Sequence, residues 1–330
     1  MMAWRLRMAA CGLAVAACYP AAAADIELRL PLACEVGRTC LVQNYVDHDA
    51  SSGVRDYACG AQSYDGHTGT DFRLPSMTAQ RTGVAVLAVA KGRVLRVRDG
   101  VPDISVRVIG KDKIKGRECG NGVVVEHADG WDTQYCHMAQ GSVRAKPGAQ
   151  VEAGDALGLV GLSGDTEFAH VHLTVRHLGK VIDPFAFGAP AAACGGGAAL
   201  WAADLRAALA YRPAAVLNTG FAARPISLEA IESGEAEQSA PGADAPALVA
   251  FVRAIGLRAG DVQRLVLVDP DGQTIVDRTA DPLDRNKAQY MFFVGKKRPA
   301  GGWRPGSYRA AYSLRRNGAV ILEQSFETQF

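Results

Sequence analysis

The 330-residue chain contains no Cys-x-x-Cys, no His-Glu-x-x-His and no apolar run of the ~20 residues that a membrane-spanning helix needs. The first absence argues against a thiolate zinc site and a thioredoxin-like redox centre. The second removes the glutamate base of helix-borne zinc peptidases, so another group would have to move protons. The third leaves no transmembrane anchor in the mature chain. An excess of charge is also missing: 36 Lys and Arg face 34 Asp and Glu, a formal +2. Removing residues 1–24 takes Arg5 and Arg7 away, leaving 34 against 34. Such a neutral chain has no basic field for nucleic acid or anionic membrane, so no nucleic-acid partner is expected. Partner choice falls to a shaped site. No internal repeat is visible.

What is present at the N-terminus reads as a leader. Met-Met-Ala-Trp-Arg-Leu-Arg is basic, residues 8–17 are apolar and small, and Ala22 and Ala24 form an Ala-x-Ala end. These describe a secretory signal peptide over residues 1–24, placing the protein in the periplasm or cell envelope. Val15-Ala16-Ala17-Cys18 also reads as a lipoprotein processing box, the alternative that would leave a lipidated Cys18. Cysteine usage agrees with export. Cys11 and Cys18 leave with the leader, and Cys34, Cys40, Cys59, Cys119, Cys136 and Cys194 remain. Six cysteines in an oxidising compartment allow up to three disulfides in fifteen pairings. Cys34–Cys40 and Cys119–Cys136 are the local choices, the second flanking a hairpin at Ala128-Asp129-Gly130; Cys59–Cys194 follows by elimination.

The length allows two domains. Short apolar or alternating runs at residues 84–90, 92–97, 105–109, 123–126, 157–160 and 171–175 lie between Gly-rich turns, the pattern of an antiparallel β domain. Gly195-Gly196-Gly197 then begins a linker over residues 195–213, with a short helical connector at 202–210. Seven further runs, at 214–221, 247–255, 264–268, 274–276, 290–294, 306–314 and 320–326, predict a β-sandwich of Ig-like character over residues 214–330. The acidic stretch 229–244 reads as an exposed loop. The division is therefore a leader, an N-terminal extension at 25–60, a first domain at 61–194, the linker and the sandwich. The sandwich holds no catalytic constellation, which suggests binding or positioning, with an envelope protein as its partner.

The chemistry lies in two fragments. His170-Val171-His172-Leu173-Thr174-Val175 is β-branched, so it predicts a strand with both imidazoles on one face. In His67-Thr68-Gly69-Thr70-Asp71, Gly69 between two Thr disfavours a helix, and an extended stretch would set His67 and Asp71 on one side. One His and one Asp from the first, with one His from the second, would make a three-ligand metal site with a position left for water. The other histidine of the pair, and His137 in Tyr135-Cys136-His137-Met138, are then spare for proton transfer. His48, His127 and His177 read as structural or exposed.

In combination these segments are specific. Tyr64-Asp65-Gly66-His67-Thr68-Gly69-Thr70-Asp71, Asn121-Gly122-Val123-Val124-Val125-Glu126-His127, Tyr135-Cys136-His137-Met138, and Val160-Gly161-Leu162-Ser163-Gly164 leading to His170-Val171-His172 resemble the lysostaphin-type (LytM-like) zinc endopeptidases of bacterial peptidoglycan, over roughly residues 60 to 186. The resemblance implies a mainly β, antiparallel catalytic domain of duplicated hybrid motif at 61–194, ahead of the sandwich. It implies His67, Asp71 and His172 as ligands of one Zn(2+) per chain, His137 and His170 as the catalytic histidines, and stem or cross-bridge peptides of peptidoglycan as substrate. Two departures stand out. Glu167-Phe168-Ala169 replaces a Thr-Gly-Pro, putting a phenylalanine on the floor or lip of the cleft. Leu173-Thr174 replaces a Phe-Glu, an expected loss of packing and of support for the ligands.

Two rival readings remain: a non-catalytic LytM-like module that binds the wall or activates an amidase, and a hydrolase of soluble peptides. The N-terminal extension could also lie across the zinc, with Asn44 or Asp47 as an occluding ligand, though an ordinary wrap is favoured.

Overall fold

The computed structural model describes residues 26–190, 193–238 and 240–330, so the leader assigned to residues 1–24 lies outside the described residues. Antiparallel strands dominate, as the alternating runs predict. The first half contains β1 (Leu41–Asn44), β2 (Thr70–Arg73), helix α1 (Met77–Arg81), β3 (Ala85–Leu87), β4 (Gly92–Arg98), α2 (Val106–Ile109), β5 (Asn121–Glu126), β6 (Trp131–Met138), β7 (Gln150–Val151), β8 (Ala156–Leu159), β9 (His170–His177) and β10 (Lys180–Ile182). The main sheet runs β1-β2-β9-β6-β5-β4-β7, with β10 paired to β9; β3 and β8 form a separate ribbon. Phe72, Leu74, Val94, Val125, Tyr135, Val171, Leu173 and Val175 are fully buried on this sheet. Each such large side chain contributes roughly 1.5–3 kcal/mol by leaving water. The β5–β6 hairpin turns through Asp129 at φ 56°, a left-handed position that Asp tolerates.

The second half contains β11 (Ala215–Ala222), α3 (Leu228–Ser233), α4 (Glu235–Gln238), β12 (Ala247–Leu257), β13 (Val262–Val268), β14 (Thr274–Thr279), β15 (Lys287–Lys297), β16 (Ser307–Arg316) and β17 (Ala319–Gln329). A three-stranded sheet, β11-β12-β15, faces a four-stranded one, β14-β13-β16-β17. Phe221, Val252 and Phe292 from the first meet Leu265, Tyr308 and Leu314 from the second in one core, so the seven expected strands do build a two-sheet sandwich.

Several local expectations fail for identifiable reasons. Residues 105–109, expected as a strand, form α2 behind its cap: Ser105 accepts from the Arg107 amide, and Gly110 at φ 83° ends the helix. Residues 229–238 are not an exposed loop, whereas 240–244 are mostly exposed and non-helical. Ser227 caps α3, left-handed Gly234 ends it, and Ile231 and Ala236 are buried against Val249 and Phe251. The connector at 202–210 holds only a 3-10 turn, Ala203–Leu205. In the stretch 195–213, Leu200, Trp201 and Leu209 enter the first core, and Trp201 pairs with Leu28 in a parallel bridge.

The halves also touch through α3 and α4. Ser76 Oγ donates to Glu237 Oε1 at 2.7 Å, and Arg81 donates to the Ser233 carbonyl at 2.9 Å. All three expected disulfides are present: Cys34–Cys40, Cys59–Cys194 and Cys119–Cys136. Among the described residues, no helix is long and apolar enough to cross a membrane.

Candidate metal centre

The register of β2 on β9 builds the site. Asp71 lies directly opposite His172, and Arg73 opposite His170. Directly opposed residues share a face, so Asp71 and His172 meet, while strand parity adds His170 two residues away. His67 arrives differently. It precedes β2 in a bend rather than an extended run, and Gly69 makes the bend possible. A Cβ there would lie 2.6 Å from His172 Nε2 and 2.6 Å from the Leu173 carbonyl oxygen.

Three donor atoms converge. His67 Nε2 is 3.2 Å from Asp71 Oδ1 and 3.0 Å from His172 Nδ1, which is itself 2.9 Å from Asp71 Oδ1. His67, Asp71 and His172 are, among the described residues, the group of ligating side chains close enough to share an ion. Each is anchored by its other polar atom. His67 Nδ1–H donates to the Tyr45 carbonyl at 2.7 Å, His172 Nε2–H to Thr174 Oγ1 at 3.0 Å, and Asn44 Nδ2 donates to Asp71 Oδ2 at 2.8 Å. The inner lone pairs are thereby fixed, the usual support of a zinc ligand. A tetrahedral zinc with bonds of ~2.0–2.1 Å has ligand–ligand edges of about 3.3 Å, close to the spacings seen. The donor set fits the metal.

The electrostatics agree. Burial pushes the Asp71 carboxyl up, yet His67 and His170 beside it hold it well below the ordinary carboxylate range. Burial lowers His172 despite the pull of Asp71. For His67 the carboxylate of Asp71 overcomes burial and raises it. A buried carboxylate among imidazoles is the charge pattern that a dication would complete.

His137 and His170 stand beside the cluster with rings 4.6 Å apart. His137, the penultimate residue of β6, is in the left-handed region at φ 64°. Its amide donates to the Cys119 carbonyl and its Nδ1–H to the Ser163 carbonyl, both at 2.8 Å. Burial, then His170 and His172, depress it well below an ordinary histidine, so it is neutral near pH 7. His170 Nδ1–H donates to the Phe168 carbonyl at 3.0 Å, and its Nε2 lies 3.5 Å from Asp71 Oδ1. Both rings thus present Nε2 to the same space. A cleft of about 250 Å³ opens there, with Tyr64, Glu118, Gln134, His137, His172 and Arg176 in its walls.

The sequence reading needs two changes here. Leu173 is fully buried and Thr174 takes the outer nitrogen of His172, so Leu173-Thr174 keeps both packing and support. Phe168 is half-buried at the edge of the site, with the Arg73 guanidinium 4.0 Å from its ring and the His170 ring 4.8 Å away. Neither Asn44 nor Asp47 occludes the cluster. Asn44 donates to the outer oxygen of Asp71, and Asp47 closes its own loop by accepting from the amides of Asp49, Arg55 and Gly66. The other histidines are structural: His48 binds Asp183, His127 joins Lys91 to Thr133, and His177 stacks on Trp131.

Known proteins share this part of the chain. Residues 65–184 match the model of Peptidase family M23. Cell division protein DipM of Caulobacter vibrioides is 32% identical over 101 residues, 31% of this chain and 14% of that protein. The DD-carboxypeptidase/endopeptidase Mpg of Neisseria meningitidis is 29% identical over 129 residues, 38% of this chain and 23% of that protein. This chain therefore spans less than a quarter of the length of either relative. Among solved structures, the catalytic domain of the prophage-encoded M23 protein EnpA from Enterococcus faecalis is 24% identical with a TM-score of 0.33, over 46% of this chain and 94% of that one. The cluster and both neighbouring histidines fall within the matched segment, and residues 65–184 of this chain are a peptidase family M23 domain.

Proposed function

We propose that the chain is an exported zinc-dependent endopeptidase that hydrolyses peptide cross-links of bacterial peptidoglycan. One observation carries the reading: three anchored donors converge on one point, and two further imidazoles with fixed Nδ1–H groups aim Nε2 at the same space. His67, Asp71 and His172 would hold the metal. Zinc bound by such a set supplies a Lewis acid that polarises a peptide carbonyl and makes water acidic near neutral pH. The remaining work falls to this chain. The Ser163 and Phe168 carbonyls keep His137 and His170 in the tautomer whose Nε2 can accept a proton. The imidazole that takes the proton of the attacking water at Nε2 becomes the cation that can hand it to the departing amine. Asp71, fully ionised, stays out of proton transfer and balances charge.

The substrate class rests on family M23 and on Mpg, whose name describes peptide-bond hydrolysis. Export rests on residues 1–24 and on the three disulfides. Similarity to a cell division protein supports a second reading, a wall-binding module or amidase activator. The complete set of five side chains favours catalysis.

The test uses residues 25–330. We expect about one zinc per chain and shortened cross-linked muropeptides, with metal and activity both lost in His67→Ala. Activity surviving in that variant would sink the ligand assignment. Zinc present with every muropeptide left intact would give the activator reading the site. His137→Ala should keep zinc and lose turnover.

A further inference from the structure

The sandwich reaches into the machinery of the first domain. Glu232 on α3 accepts, through Oε2, from Arg73 and from Arg253. Arg73 sits on β2, two residues beyond Asp71 and directly opposite His170 in the ladder. Its guanidinium also donates to Gln43 Oε1 at 2.5 Å and lies 4.0 Å over the ring of Phe168. That ring is 4.8 Å from the ring of His170, and the Phe168 carbonyl accepts the His170 Nδ1–H. An unbroken line of contacts therefore runs from the second domain to one imidazole beside the metal cluster.

Stability alone is a poor account of this arrangement. Two completely buried guanidinium groups share the Glu232 carboxylate, with Glu167 also acting on Arg73 and Glu237 on Arg253. Buried ion clusters usually contribute little net stability. Burial, with Arg253 alongside and against the pull of Glu232, brings Arg73 down to about 10, so it remains cationic at neutral pH. What the arrangement does supply is geometry. A planar guanidinium held on two sides offers a rigid plate against an aromatic face. Arg253, on β12, shares Glu232 with Arg73 and also donates to the Pro75 carbonyl and to Asn218 Oδ1. Gly234, just after α3, leaves no room for a side chain against Thr78.

We propose that Glu232 is a positioning residue for the hydrolytic reaction: it fixes Arg73, Arg73 fixes Phe168, and Phe168 sets the ring of His170. The second domain is then part of the catalytic unit and not an appended binding module. This inference rests on the endopeptidase reading above.

The full chain, residues 25–330, tests it with two variants. Glu232→Asp keeps the charge and withdraws the carboxylate by one methylene; Phe168→Leu keeps every buried charge and removes the plate's seat. Both should retain zinc and KM. Both should lose kcat on the order of ten- to a hundredfold, the scale of a misplaced group. Imidazole 15N spectra of the protein without substrate should show His170 as a pure Nδ1–H tautomer in the wild type and as a mixture in both variants. A lowered melting temperature with kcat and the His170 signals unchanged would overturn the proposal, leaving Glu232 as glue between domains. If the wild type cleaves no muropeptide, the endopeptidase reading fails, while the His170 spectra still decide the positioning. Should Glu232→Asp not fold, Phe168→Leu alone decides.

Discussion

The lone pairs of the cluster point inward because three polar groups outside it hold the other ends: the Tyr45 carbonyl, Asn44 Nδ2 and Thr174 Oγ1. Thr174 is the one that can be removed at little steric cost. Thr174→Val should weaken zinc affinity ~10–100-fold, the usual scale for such supports, in a chelator competition at fixed pH. An unchanged affinity would show that His172 needs no tether. At this scale the sequence was half legible. His170 and His172 share a face by strand parity alone, which two residues suffice to show. Gly69 was misleading, because Thr-Gly-Thr reads as extended chain. Its bend exists to let His172 approach, and His172 lies on a strand about a hundred residues away.

At the scale of elements, β6 is tied across the sheet by a relay. The Val89 amide donates to Tyr135 Oη, Thr133 Oγ1 links Tyr135 to His127 Nε2, and His127 Nδ1–H donates to the Lys91 carbonyl. Burial lowers His127, so the folded chain prefers its neutral form. The sign follows from linkage. A depressed folded value gives stability that is present above the unfolded value near 6.5 and is lost as pH falls through the folded one. His127→Gln should therefore show a shallower loss of melting temperature between pH 7 and pH 5 than the wild type, by calorimetry. Parallel curves would remove His127 from the acid sensitivity. Element type was legible wherever apolar parity extended over several residues, as in β9 and β12. It failed at residues 105–109, where a β-branched run sits between a serine cap and a glycine, and at 229–238, where acidic composition hid the cap Ser227 and the buried Ile231.

For the whole molecule, Cys59–Cys194 closes a loop of 135 residues around nearly all of the first sheet. Cross-links of long loops reduce the freedom of the unfolded chain most, typically contributing ~2–4 kcal/mol. The double variant Cys59→Ser, Cys194→Ser should lose about that much in urea unfolding; a loss below ~0.5 kcal/mol would mean that the native contacts hold the loop closed without it. Its pairing was reached by counting, since six cysteines with two local pairs leave one choice. The joint between domains was less legible. Three glycines suggested a free tether, but burial of the following tryptophan depends on Leu28 and on Phe72, far apart in the sequence.

The burial of Trp201 has a consequence for how the molecule comes apart. A flexible tether lets two domains melt separately, each with its own heat-absorption peak. Here the residues that link the halves form part of the floor of the first, α3 of the second binds Arg73 of β2 through Glu232, and α4 binds Ser76 through Glu237. Cutting the chain near residue 195 would expose Phe72 and Leu28 in one fragment and strand Trp201 in the other. A calorimetric scan of residues 25–330 is expected to show one transition, and protease cleavage within 197–205 should require global unfolding. The peptidase and the sandwich would then share a single lifetime: a lesion in either ends both.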